Sequence, residues 1–510
     1  MKLIPFLIAV FLLINPLLER VFQKFDIQTE KLQFWVMLTS GTAWVIGLVY
    51  FLLDPESSLD NIPAEGSNLL PRLAFSLDWI SGALVLSAVG LIFITVLTRE
   101  ESPQDNAWLA GLGGACVIGL ESNSAYTMGL MWTIIEGFHF YFSFRDRQIA
   151  FNPRVYLPSA LLRLSAPAAL VLLSLTQNET GGTGLLPDLG TQSGFVLIAV
   201  GLLGFLGWFL SFQGREDNQS GFFSGAIENW IPGLLGILLI LRGSVILDTG
   251  TSQGLIPLIL SISLLVTALV GTLLDLTPGL WFLSSGLLVT VSAIISGAES
   301  ALIWCVVMML PGIRMWIGSR QPKKPLIPLV LATLGLLPLP FLPSWAGVLA
   351  FSEDIPGIIL GLSYGILLGN ALIAVLKNWG SSKSDSEPFP LLGVIGAVAV
   401  LASQVLISLR LGLIDASRDL LGKSITIWIS FLGLVPVLIL ANHLPFKRGE
   451  RIRSAMPGLK ERFGKITLTV VYILDRMVSF FSRIFEGQAG LIWALLIGLL
   501  FITLISVRGG

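Results

Sequence analysis

The chain has 510 residues, of which 54% are hydrophobic and only 12% charged, with a mean hydropathy of +0.83. A soluble globular domain carries roughly 25% charged residues, so that class is excluded. A formal net charge of −1 offers no basic face for nucleic acid, and two histidines and two cysteines cannot build a disulfide framework, a haem bundle or a His/Cys metal cluster.

Long uncharged runs separated by short polar turns fill the chain. Crossing a bilayer core of roughly 30 Å takes about 20 apolar residues of helix. Leu3–Leu18 and Phe34–Leu53 provide the first two such runs, on either side of the basic turn Arg20–Lys31. Only Lys2 heads the first run and no small-residue cleavage site precedes Glu19, so it reads as a retained span rather than a signal peptide. Leu73–Leu97 is the third run, with Asp78 one turn inside it. The shorter Ala107–Leu120 follows; its Gly111, Gly113 and Gly114 signal close helix packing and its Cys116 a small packing residue. Glu121 and Glu299 fall in tight turns and Asp275 begins another; with Asp78, these read as solvated helix ends and caps.

Glu136 is the carboxylate placed deepest in an apolar run, in AYTMGLMWTIIEGFHFYFSF, with His139 at i+3 on the same face. A charge inside a span usually faces a polar interior, and a carboxylate beside an imidazole in a dry bundle suits a proton relay. The alternative is an ion pair with an Arg of a neighbouring helix. Arg163, in Tyr156–Leu175, and Arg242 are the candidate partners. Arg163 could also snorkel to its nearby basic turn, and Arg242 lies a turn and a half from Asp248.

Backbone breaks come next. Trp230-Ile231-Pro232 opens span eight, and span twelve, LGLLPLPFLPSWAGVLAF, holds Pro338, Pro340 and Pro343 followed by Gly347. Proline removes helix hydrogen bonds and bares carbonyls that must be buried in protein or face water. Interrupted helices are expected at both places, as in many transporters, with packing kinks as the alternative. Cys305 lies in the short run Ala301–Trp316 and again reads as packing.

The expected fold is all-α: a transmembrane bundle of about 14–16 spans over residues 1–442, a cytoplasmic-side interfacial helix region over 443–486, and a final span in 487–510. Turns rich in Lys and Arg alternate with turns lacking them, which by the positive-inside rule places Arg145–Arg154 and Arg314–Lys324 in the cytoplasm and the N-terminus outside. The location is a multi-pass membrane protein of a bacterial plasma membrane or a thylakoid. No nucleotide loop, dinucleotide fingerprint or H-E-x-x-H occurs, so no catalytic residue, metal site or cofactor is assigned.

Several segments in this order resemble the antiporter-like membrane subunits of respiratory complex I, membrane-bound hydrogenases and multisubunit sodium/proton antiporters. LAFSLDWISGALVLSAVGLIF, with Asp78 and Ser81, is similar to the third span of that family, and NWIPG to the W-L-P of its broken seventh helix. LTPGLWFLSSG looks like its serine-pair motif, and LPSWAGV like the P-x-x-x-G-F element, with Val348 in place of the aromatic. The resemblance spans about Leu73 to Phe351 and implies inverted halves with broken helices, membrane-complex partners and proton or sodium translocation.

The departures fall at the pump. The family glutamate follows the tryptophan of span five directly, where this chain has Thr133 after Trp132. Glu136 comes nearly a turn later, about 60° away on the helical wheel. Gly221 and Thr277-Pro278 stand where family lysines are expected, and Glu228 replaces a histidine. Three readings stay open: an ion-translocating subunit of a complex I- or hydrogenase-type assembly, a subunit that keeps the bundle without the pump, and an unrelated carrier or lipid-linked flippase. The expected partners are other membrane subunits of a redox or antiporter complex and membrane lipids. Any oxidoreductase activity would belong to the assembly rather than to this chain.

Overall fold

A computed structural model of the chain describes residues 4–26, 28–53, 57–59, 75–98, 103–145, 153–179, 185–186, 189, 191–213, 222–247, 255–273, 278–319, 334–338, 342–349, 351, 354–379 and 391–410. The interfacial helix and last span expected in 443–510, and Pro340, lie outside these residues. Chain contacts define two units, Met1–Ala150 with Ser159–Pro445, and Phe151–Pro158 with Phe446–Gly510. Apart from Pro153–Pro158 at the start of one helix, everything described belongs to the first.

That unit is a helical bundle: α1 (Ile4–Lys24), α2 (Thr29–Leu53), α3 (Trp79–Thr98), α4 (Pro103–Leu120), α5 (Ala125–Arg145), α6 (Pro153–Glu179), α7 (Thr191–Gln213), α8 (Phe222–Leu247), α9 (Leu255–Leu273), α10 (Pro278–Ser319), α11 (Pro343–Leu349), α12 (Ile355–Trp379) and α13 (Leu391–Arg410). A small antiparallel ribbon, β1 (Ser57–Leu59) with β2 (Phe75–Leu77), precedes α3. In lipid every backbone polar group must be satisfied within the segment, so uncharged runs of this length fold as helices. Sequence marks where they begin. Pro103, Pro153, Pro278 and Pro343 each occupy a first helical position, where the missing N–H costs nothing. Elsewhere side chains cap: Asp78 Oδ1 accepts from Ser81 N (2.9 Å), Ser124 Oγ from Thr127 N (3.1 Å) and Asp354 Oδ1 from Gly357 N (3.0 Å).

Seven helical segments among the described residues are long and apolar enough to cross a membrane. Their packing is that of a bundle in lipid. On α9, Leu255, Ile256, Ile259, Ile262, Val266 and Leu269 are exposed at helical spacing while Leu264 and Ala268 are buried behind them. An apolar stripe of that length facing outward belongs against acyl chains. The protein is a multi-pass integral membrane protein.

Small residues set the closest contacts. Gly111 and Gly114 of α4 face Pro16 and Leu13 of α1, and Gly113 faces Ile92 of α3. The tightest seam joins α7 and α8, where the backbones meet glycine to glycine. A Cβ built on Gly201 would stand 2.5 Å from the Gly236 carbonyl oxygen, and one on Gly243 2.6 Å from that of Gly194. The pairs run in antiparallel register, so two glycines seven residues apart on each helix lock both ends of the contact.

This seam bears on the break expected at Pro232. The structure departs from that expectation: α8 runs as one helix from Phe222 to Leu247 with Pro232 inside it. Trp230 packs edge-on against Phe282 at 4.8 Å, and Gly233 admits the same ring, so packing on both sides of the proline holds the helix together. At the second place the helix is interrupted. The chain turns through Gly335–Leu337, passes Pro338, and restarts as α11 at Pro343. The Leu336 carbonyl accepts from the Tyr364 hydroxyl, and the Leu337 carbonyl from Ser344 Oγ (2.6 Å). Gly347 admits Trp304, which stacks on Phe351 at 5.2 Å and abuts Tyr364. Tyr364→Phe should lower stability by about 1–3 kcal/mol, the cost of stranding a buried carbonyl, in a thermal melt of purified protein. An unchanged melt would mean that the carbonyl has another donor.

α10 hides a reversal. Its 42 residues contain Gly297 at φ +86°, ψ −179°, a conformation reserved for glycine. Trp281 Nε1 donates to the Met308 carbonyl at 3.1 Å. In a straight helix those residues would be about 40 Å apart. The two limbs therefore fold back on each other as a hairpin with almost no loop, and Glu299 is exposed just past the turn.

Candidate functional site

α5, α6 and α7 meet around the one described place where two charges inside apolar helices face each other. On α5, Thr133 points outward and donates to the Gly129 carbonyl at 2.9 Å, whereas Glu136 points in and is buried. The position just after Trp132 is thus not the inward one in this chain; Glu136 is. Arg163 of α6 donates from Nε to Glu136 Oε2 at 3.1 Å, with side-chain exposures of 0% and 8% for the arginine and the glutamate. Stranding either charge alone in such a setting would be costly, which is why they occur together.

Two glycines of α7 make room for the pair. A Cβ on Gly207 would meet Arg163 Cγ at 2.7 Å, and one on Gly204 would meet the Trp132 indole at 2.5 Å. Between them and the next turn, Trp208 lays its ring 4.3 Å from the Arg163 guanidinium carbon. His139 stands edge-on to the same ring, centroids 4.9 Å apart at 86°. The guanidinium is held between a carboxylate and an aromatic face, and a buried imidazole stands edge-on to the same tryptophan. A desolvated cation–π contact is worth about 2 kcal/mol, so Trp208 helps to fix the arginine.

Of the residues singled out in the sequence, Glu136, His139 and Arg163 come together. Arg242 does not join them. Its Nη1 pairs with Asp78 Oδ2, and its Nη2 donates to Ser81 Oγ at 3.2 Å, tying α8 to the start of α3. The glycine register sets Arg242 level with the Gly194 end of α7, about 20 Å along the helix from Trp208. Asp78 is both a cap and half of an ion pair, rather than a solvated end. Trp208 carried no signal in the sequence, where a tryptophan in an apolar run reads as core. Among the described residues no cluster of His, Cys, Asp and Glu could hold a metal.

No protein-family model matches the sequence, and no curated protein matches it. Solved structures do match its fold. A chain of the Mrp complex from Dietzia sp. DQ12-45-1b aligns with all of this chain at TM-score 0.56 and 14% identity, this chain spanning 63% of its length. A chain of the membrane-bound sulfane sulfur reductase, an archaeal respiratory membrane complex, aligns over 98% of this chain and 99% of its own at TM-score 0.61 and 12% identity. The fold is the one shared with these chains of membrane complexes. A chain of respiratory complex I from Thermus thermophilus, with bound NADH, also aligns, over 81% of this chain and 99% of its own at TM-score 0.51 and 16% identity. At these identities the likeness is one of fold, and each neighbour is a chain of a larger complex.

Proposed function

We propose that the protein is an antiporter-like subunit of a multi-subunit membrane complex of the redox or antiporter kind, and that it moves protons through the Glu136–Arg163 pair. The observation that supports this reading most is the pair itself: a carboxylate and a guanidinium, both buried, at the meeting of three helices and next to a buried imidazole. A proton arriving at Glu136 would neutralise the carboxylate and loosen Arg163. His139, edge-on to the same tryptophan, is the nearby side chain able to accept or return that proton. Arg163 stands on α6 in the role of counter-charge to the glutamate, which supports function without the lysines missing at Gly221 and Thr277. Proton movement is favoured over sodium because Arg163 already holds the Glu136 carboxylate, and among the described residues no second carboxylate joins it there.

The second reading, a bundle that keeps the fold without the pump, rests on those missing lysines. Glu136→Gln separates the two, since the amide keeps the shape and cannot exchange a proton. In membrane vesicles containing the full chain with its native partners, proton uptake per assembled molecule should fall to background in the variant while assembly is retained. Uptake at the wild-type level per molecule would rule out the relay, and loss of assembly with proportionate loss of uptake would favour the structural reading.

A further inference from the structure

The turn between α4 and α5 holds a second buried carboxylate, unrelated to the Glu136 pair. Glu121 was expected to be solvated, but it is 1% exposed, and its Oε1 has no hydrogen-bond partner. The reason is a cover drawn from distant parts of the chain. Phe75 of β2 bridges to Ser122, Leu185 bridges to Ser124, and Leu186 N donates to the Asn123 carbonyl at 2.8 Å. Phe6 of α1 packs edge-on against Phe75 at 5.4 Å and extends the cover.

Among the described residues, the charges on the helices around α4 are occupied elsewhere. Arg242 of α8 and Asp78 before α3 hold each other. On α5, Glu136 engages Arg163, and Tyr126 is the nearest titratable side chain in sequence. The charges of α1 and α2 (Glu19, Arg20, Lys24, Glu30, Lys31) belong to the opposite end of α4, where Arg20 lies over Trp108 and Gln33 accepts from Asn106. Among the described residues no counter-charge is left for an ionised carboxylate under that cover, a costly state that a bound proton removes.

We propose that Glu121 is a proton-binding site whose occupancy is linked to the seating of this cover: protonated, it stays beneath Phe75 and Leu185–Leu186; ionised, it draws water in and the cover lifts. Burial pushes its pKa up to about 8, which puts the exchange near physiological pH. A raised value means that the closed form holds the proton more tightly than the open one. Closure is then favoured at low pH and lost as pH rises through that value.

Amide hydrogen exchange on the full chain in nanodiscs, corrected for intrinsic rates, tests this. On passing from below to above the value near 8, protection over β2, 121–127 and 185–186 should fall at least tenfold in wild type and stay constant in Glu121→Gln. A flat wild-type profile, or the same pH-dependent loss in the variant, would overturn the proposal. Sodium or potassium chloride in place of choline chloride should not restore protection above that pH; restoration would identify a metal-cation site and overturn the proton assignment. Should the variant fail to fold, infrared spectroscopy of the wild type labelled at glutamate must still show a buried protonated carboxyl that titrates over the same interval, and its absence would be equally decisive.

Discussion

Replacing Arg163 with methionine should destabilise the protein by about 3–5 kcal/mol, the largest effect expected of any single substitution in the bundle. Methionine keeps the volume of the arginine stem beside Gly207 but removes the guanidinium, leaving the Glu136 carboxylate buried with no charge to meet it. The contact of the guanidinium with Trp208 goes too. Adding Glu136→Gln should recover most of the loss, because a neutral amide tolerates burial where a lone carboxylate does not. A double-mutant cycle read by thermal unfolding in mild detergent checks it: coupling below about 1 kcal/mol would mean that the pair contributes little and that Glu136 is already neutral. The cycle reads stability alone, so it remains informative even if the chain transports nothing.

Gly201→Ala should cost about 1–3 kcal/mol, by overpacking. The added methyl would be directed 2.5 Å from the Gly236 carbonyl oxygen, and a backbone atom in the middle of a helix cannot swing aside as a side chain can. α7 and α8 would have to part along their length, loosening the Gly194–Gly243 contact as well. Gly137→Ala is the matched control, since a Cβ there meets nothing within 4 Å. It should leave stability unchanged or raise it slightly through helix propensity. Equal melting temperatures for the two variants would show that the helices can move apart without penalty.

The sequence made the class of molecule plain, because long uncharged runs leave few alternatives to a helical membrane bundle. It also singled out Glu136, since one carboxylate deep in an apolar run stands out by its cost. Relations between helices were harder to read. Arg242 was a candidate partner of Glu136 and instead reaches Asp78, because the register between α8 and α3 depends on long-range packing that no local pattern announces. Pro232 was expected to break its helix; the flanking Trp230 and Gly233 that hold it are recognisable only once Phe282 is in place. Glu121 looked solvated because its cover comes from residues near 75 and 185, far away in the chain. Around Pro338 and Pro343 the signal lies within one segment: the turn at Gly335–Leu337 and the restart of α11 at Pro343 depend on little beyond the local chain.

The reversal at Gly297 has a consequence for how the chain enters its membrane. A hydropathy scan sees Leu280–Met308 as one segment of 29 residues, yet the stretch goes in and comes back. With no tether between the limbs, neither can settle in the lipid while the other waits in water. They must partition together, as a preformed hairpin whose tip carries the exposed Glu299. The insertion machinery therefore has to accommodate two helices side by side at this point, joined by a turn that carries a carboxylate.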